Sequence, residues 1–106
     1  MHSGSPMQPV EFLQSWYQAR SDGSWERTHG ITIETLDSPG WLVTIDLEGT
    51  PLEDRPMPAI DRQVSQRDWL ICEVSRNGFR GQGDPDKLLA ILEIFKAWAE
   101  AAGVGD

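Results

Sequence analysis

Cysteine, histidine and positive charge are scarce in this 106-residue chain, and it has no long apolar run. The single cysteine, Cys72, permits no internal disulfide, which is typical of proteins of the reducing cytoplasm. The two histidines, His2 and His29, stand apart and without a cysteine cluster, so no metal site is expected. No apolar stretch approaches the ~20 residues that span a bilayer. A disulfide framework, a bound cofactor and a membrane-spanning helix are therefore not expected.

The balance of charge is strongly negative. Seventeen Asp and Glu stand against nine Lys and Arg, for a formal net charge of −8. Such a surface cannot neutralise phosphates, so nucleic acid is not expected as a partner. It attracts a basic protein and speeds the encounter with it. The alternative is that the acidity only keeps a small protein soluble.

Length and composition predict one domain whose core needs neither disulfides nor metal. Residues 1–8 are predicted to be a flexible leader, because they lack the basic and apolar regions of a signal peptide. Met7 is an equally good start of the chain. Residues 9–103 form the predicted domain, and residues 104–106 form a short tail.

An amphipathic helix is predicted near the N-terminus, over residues 10–20. Pro9 suits its first turn. Val10, Leu13 and Tyr17 recur at helical spacing and form the predicted apolar stripe.

A second amphipathic helix is predicted near the C-terminus. Asp84 is its predicted N-cap, Pro85 its first residue and Gly103 its stop. The residues predicted to face the core along it are Leu88, Ile91, Leu92, Phe95, Trp98 and Ala102.

Between the helices, alternating apolar and polar residues predict antiparallel strands. The predicted strands cover residues 30–36, 41–48, 59–65 and 68–76, with a short one around 79–80. The Asn77-Gly78 pair predicts a tight hairpin turn, and Gly81 to Gly83 is predicted to be flexible.

The connection between the first two strands is constrained by parity. Ile33 and Val43 share a face only if paired residue numbers sum to an even value. A four-residue loop over 37–40 would give the opposite parity, and a slip of one residue moves every side chain to the wrong face. We therefore expect an odd number of connecting residues or a bulge.

These elements predict an α+β fold: an antiparallel four- or five-stranded meander sheet with an N-terminal and a C-terminal helix packed on one face. The predicted core consists of Leu13, Trp16, Ile31, Ile33, Trp41, Val43, Ile45, Leu70, Cys72, Leu88, Leu92, Phe95 and Trp98.

Candidates for catalysis are weak. Cys72 lies inside a predicted strand, whereas reactive cysteines occupy exposed, electropositive positions. Core packing is the better interpretation. The alternative that stays open is a small enzyme, such as a sulfurtransferase, that uses Cys72 or a pair of carboxylates.

Acidic residues and tryptophans around the first hairpin favour a binding surface instead. Trp25 lies in a charged loop and Trp69 lies opposite the apolar face of its strand, so either is a candidate for an exposed contact. The residues predicted to bind a protein partner are Asp22, Trp25, Glu26, Glu34, Asp46 and Glu48. The alternative is that these acids are only solvated.

Several segments resemble the immunity protein 53 family. They are Trp16-Tyr17, DGSWE (22–26), GITIETLDSPGW (30–41), TIDLEGT (44–50), Asp68-Trp69, GDP (83–85) and IFKAW (94–98). The resemblance implies a bacterial cytoplasmic protein that is encoded beside a polymorphic toxin and neutralises it by direct binding. Members of the family have also carried rhodanese-like labels, which the position of Cys72 does not support. A constitutive subunit or scaffold is a further alternative, and oligomeric state stays open.

Overall fold

The computed structural model describes residues 7–76 and 78–103. Its helices are α1 (Pro9–Arg20), α2 (Trp25–Thr28) and α3 (Leu88–Ala101). Its strands are β1 (Ile31–Leu36), β2 (Gly40–Asp46), β3 (Ile60–Ser65), β4 (Asp68–Val74) and β5 (Gly78–Gly83). The four-residue helix α2 was not predicted.

The five strands form one antiparallel sheet, in the order β1-β2-β5-β4-β3. The predicted α+β class is confirmed, since α1 and α3 contact each other and the sheet. The order is not that of a simple meander, because β5 lies between β2 and β4. The edges of the sheet are therefore β1 and β3.

The first hairpin follows the predicted parity. Three residues, 37–39, connect β1 to β2, and Ile33 pairs with Val43. The Ser38–Pro39 peptide bond is cis. Odd-numbered residues of both strands consequently point to the face that the helices cover.

The prediction that Gly81 to Gly83 is flexible is wrong, because these residues complete the central strand β5. Gly81 pairs with Val43 on one side and Cys72 on the other, and Ile91 of α3 packs directly over it. Glycine has no side chain that could alternate, so only the part of this strand around 79–80 was predicted.

The start of the C-terminal helix also differs from the prediction, since α3 begins at Leu88 rather than after Asp84. Asp84 is buried, and its carboxylate accepts hydrogen bonds from the Trp69 N–H (2.9 Å), the Asp86 N–H (2.8 Å) and the Lys87 ammonium (2.7 Å). It ties β4 to the turn before the helix instead of capping α3.

The core lies between the sheet and the two long helices, around Phe12, Phe79 and Phe95. The Phe95 ring contacts the rings of both Phe12 and Phe79. Of the predicted core, Leu13, Trp16, Val43, Ile45, Leu70, Cys72, Leu92 and Phe95 are buried. Ile31, Trp41, Leu88 and Trp98 are half-buried. Buried residues missing from the predicted core include Phe12, Trp25, Leu47, Leu52, Phe79 and Ala99. Ile91, which was predicted to face the core along the C-terminal helix, is buried.

Ile33, which was predicted to lie in the core, is exposed, and so are Val10 and Tyr17 of the predicted apolar stripe. The helix α1 turns Phe12, Leu13 and Trp16 inward instead, because α3 lies on that side. Which neighbouring stripe a helix buries depends on its packing partner, which periodicity does not specify.

Candidate functional site

Two of the predicted partner-binding acids shape the loop that leads into α2. The Asp22 carboxylate accepts hydrogen bonds from the N–H groups of Ser24 (3.0 Å) and Trp25 (3.1 Å). The bonds from Trp25 and Ser24 lower the pKa of Asp22. The Glu26 carboxylate accepts from the Gly23 N–H at 2.9 Å. Both side chains thus stabilise the backbone here.

Trp25 is buried, with 8% of its surface exposed, so the prediction of a partly exposed Trp25 is wrong. The first turn of α2 directs its indole against Trp16, with ring centroids 5.9 Å apart in an edge-on arrangement. Its Nε1–H donates a hydrogen bond to the carbonyl of Glu48 at 2.8 Å. The indole therefore holds the chain that follows β2 against the helical side of the molecule.

His29, which the sequence did not place at the site, connects these residues. Its imidazole stacks on Trp25 with centroids 5.7 Å apart, and Nε2 lies 3.0 Å from a carboxylate oxygen of Glu48. The hydrogen bond with Glu48 is the main reason why the pKa of His29 is raised. The Glu48 side chain itself faces solvent.

The two strand acids lie on the sheet face away from the helices, as parity predicts. Glu34 is exposed, whereas Asp46 is half-buried and accepts a hydrogen bond from the Gly30 N–H at 2.9 Å. Glu34 pairs with Leu42, four residues before Asp46 along β2, so the two acids stand roughly 13 Å apart. The structure therefore gathers Trp25, Asp46 and Glu48 at one end and leaves Glu34 farther along the edge strand.

The β1–β2 hairpin and the turn after it carry acidic side chains but no basic ones of the Lys or Arg type. Residues 28–54 contain no Lys or Arg. The acids of this segment, which we call the acidic segment, are Glu34, Asp37, Asp46, Glu48, Glu53 and Asp54.

The rest of the open sheet face carries charges of both signs. Arg80 of the central strand pairs with Thr44 and Glu73 on this face. A groove of about 720 Å³ lies at the end of the face near the β1–β2 turn. Its lining residues are Ser38, Gln63, Ser65, Gln66, Trp69 and Ile71. Trp69 is half-buried there, which agrees with its predicted partial exposure.

A family model described as Immunity protein 53 matches residues 10–100. The chain belongs to the immunity protein 53 family. This confirms the resemblance seen in the sequence motifs, and the match covers all eight helices and strands except the last residue of α3 and the first of α1. Neither the comparison with curated proteins nor the comparison with solved structures gives a match.

This immunity protein belongs to a family that is generally non-enzymatic. The position of its single cysteine agrees with the absence of thiol chemistry. Cys72 is fully buried, and burial raises the pKa of its thiol to about 11. The thiolate that a sulfurtransferase needs is therefore disfavoured near neutral pH. The prediction that Cys72 packs in the core is confirmed.

Within residues 7–76 and 78–103, no three His, Cys, Asp or Glu side chains are grouped as metal ligands. No helix in those ranges is both long and apolar enough to cross a membrane.

Proposed function

We propose that this protein neutralises a cognate bacterial toxin by binding it directly in the cytoplasm, and that the toxin domain is basic. Membership of the immunity protein 53 family is the observation that carries the proposal. The acidic segment supports the choice of a basic partner, since complementary charge accelerates encounter and suppresses wrong partners.

The proposed contact surface contains the predicted acids Asp22, Glu26, Glu34, Asp46 and Glu48. Trp25 lies beneath this surface, where it supports Glu48 and His29 rather than contacting the toxin itself. Hydrogen bonds to backbone groups order the loop acids and Asp46 before binding. Such ordering lowers the conformational entropy lost on association.

We also propose that the protein acts without chemistry of its own. The buried thiol of Cys72 supports this view, as does the neutral lining of the 720 Å³ groove, which offers neither a carboxylate nor an imidazole. An acidic protein can block a nucleic-acid-cleaving or other basic site by covering it.

Co-expression tests the function directly. We expect cells that produce the toxic domain encoded beside this chain to grow only when the chain is also produced. The purified chain should form a stable complex with an inactive variant of that domain. Absence of both rescue and complex formation would overturn the proposal.

Charge reversal tests the surface. We expect the double variant Glu34→Lys/Glu48→Lys to associate with the toxin domain roughly tenfold more slowly at low salt, because electrostatic steering is lost. The matched control is Asp86→Lys/Glu93→Lys, which changes net charge equally at exposed positions outside the acidic segment. Association rates measured against salt concentration compare the two. Equal slowing by both variants would show that only net charge matters.

A further inference from the structure

The two edges of the sheet are protected very differently. β3 has a register shift between Gln63 and Ser65, carries Asp61 and Arg62, and follows Pro58. β1 pairs with β2 without any shift over six residues and contains no proline, lysine or arginine. Natural proteins usually blunt exposed edges with bulges, prolines or lysines, because a free edge pairs with other chains. β1 is left open to such pairing.

The backbone of β1 points hydrogen-bonding groups outward at alternate residues. The Asp46 N–H donates to the Gly30 carbonyl at 3.0 Å, so Gly30 and Asp46 form a hydrogen-bonded pair. In an antiparallel ladder the next pair is not hydrogen-bonded, and the pattern alternates. The N–H and C=O groups of Ile31, Ile33 and Thr35 therefore point away from β2, toward the free edge.

An apolar groove runs beside this edge, between α1 and β1. It has a volume of about 340 Å³ and is lined by Leu13, Gln14, Tyr17, Gly30 and Ile31. Next to it, Ile33 is 42% exposed. Because Ile31 and Ile33 pair with buried core residues of β2, their side chains lie on the helix side, where the groove is.

Charge decides which occupant suits the edge and its groove. A second copy of this chain would bring two net charges of −8 together. Both copies would also bring Glu34 of β1 to the contact. Like charges of this size oppose self-association, whereas a basic partner is attracted.

We propose that the toxin domain adds one of its own strands to the outer edge of β1, an inference that rests on the function proposed above. Side chains of the added strand opposite Ile31 and Ile33 lie over the groove and are apolar. Those opposite Thr32 and Glu34 lie on the open face, where a Lys or Arg pairs with Glu34. Main-chain hydrogen bonds then supply affinity, while the alternating side chains supply specificity.

A matched pair of edge variants tests this arrangement. Ile33→Lys places a charge beside the groove on β1, and Val64→Lys makes the same change at a 75% exposed position on β3. We expect Ile33→Lys to weaken binding of the inactive toxin domain by roughly tenfold or more, as loss of a central interface contact does. Val64→Lys should bind within about twofold of the unmodified chain, as a surface position outside the contact does. Circular dichroism of both variants checks that the fold is kept.

Hydrogen exchange provides a measurement that needs no substitution. The amides of Ile31, Ile33 and Thr35 should exchange more slowly in the complex with the toxin domain than in the free protein. Ile33→Pro, which removes an outward N–H on an edge strand, should weaken binding while the fold persists.

The possible results separate the two proposals. If the unmodified chain binds the toxin domain but neither Ile33 variant weakens binding and the β1 amides gain no protection, the edge proposal is wrong and the proposed function stands. If the unmodified chain does not bind at all, both fail. If the free protein is a dimer by sedimentation and Ile33→Lys dissociates it, the edge serves a second copy, and the assignment to a toxin strand is overturned.

Discussion

At the scale of single residues, several acidic side chains that were predicted to contact the partner also order the backbone. Asp22 and Glu26 accept main-chain hydrogen bonds in the loop before α2, and Asp46 accepts one from Gly30. A charge held in this way loses little freedom when a partner binds.

The reactivity of Cys72 is a property of one residue and can be measured as such. We expect iodoacetamide to label the folded protein slowly at pH 7.5, because the thiol is buried and its pKa is about 11. Labelling should become fast in denaturant, which serves as the control. Rapid labelling of the folded protein would revive the sulfurtransferase alternative.

At the scale of elements, α3 can approach β5 closely because Gly81 has no side chain. A Cβ at Gly81 would clash with the Ile91 side chain and crowd Phe79 and Cys72. The helix can therefore rest on the centre of the sheet only while this position is glycine.

Substitution of this glycine tests the packing. Gly81→Ala should lower the free energy of unfolding by about 1–3 kcal/mol, since overpacking forces neighbours to shift. Gly30→Ala is the matched control, because no atom lies within 4 Å of a Cβ built there. Urea unfolding of both variants measures the difference. Equal stabilities would show that α3 can move away from β5 at little cost.

At the scale of the whole molecule, charge and shape are both asymmetric. Glu34 of the acidic segment lies on the edge strand β1, Arg80 lies on the central strand β5 of the open face, and the protected edge lies at β3. A partner therefore meets a different surface at each edge of the sheet, although the protein as a whole carries a net negative charge.

The stability of the whole fold should decline in acid. The pKa of Asp84 is lowered from 3.8 to about 2, chiefly by its hydrogen bond from Lys87. The ionised Asp84 carboxylate therefore stabilises the folded protein above its unfolded pKa, and this contribution is lost as pH falls from about 4 to 2.

His29 has the opposite pH dependence. Its pKa is raised above 6.5, so the stability that it contributes is complete below that value and is lost as pH rises through the folded pKa.

Thermal unfolding across this range measures the effect of Asp84. The melting temperature should fall between pH 4 and pH 2, and Asp84→Asn should be less stable at pH 7 with a shallower acid decline. Asp86→Asn, at an exposed neighbour, is the control. An acid decline in Asp84→Asn as steep as in the unmodified chain would mean that other carboxylates govern it.

Local patterns predicted the elements whose side chains alternate or recur along the chain. The β1–β2 hairpin and its parity followed from Ile31 to Ile45, because a strand's faces are defined by neighbouring residues. Only the part of β5 around Phe79 and Arg80 was predicted, since Gly81 and Gly83 have no side chains to alternate. The start of α3 was misplaced because the partners of Asp84 include Trp69, which is distant in sequence and adjacent only in the folded sheet.

The sequence by itself determined the sign of the charge, the family, the α+β class and the burial of Cys72, since each follows from composition, motif or local period. Tertiary structure decided the rest. It buried Trp25, left Ile33 exposed and made β1 an edge, because these outcomes depend on which elements pack together. Whether an apolar side chain is covered depends on a neighbour that is remote in sequence, and strand order is not encoded in the period of any one strand.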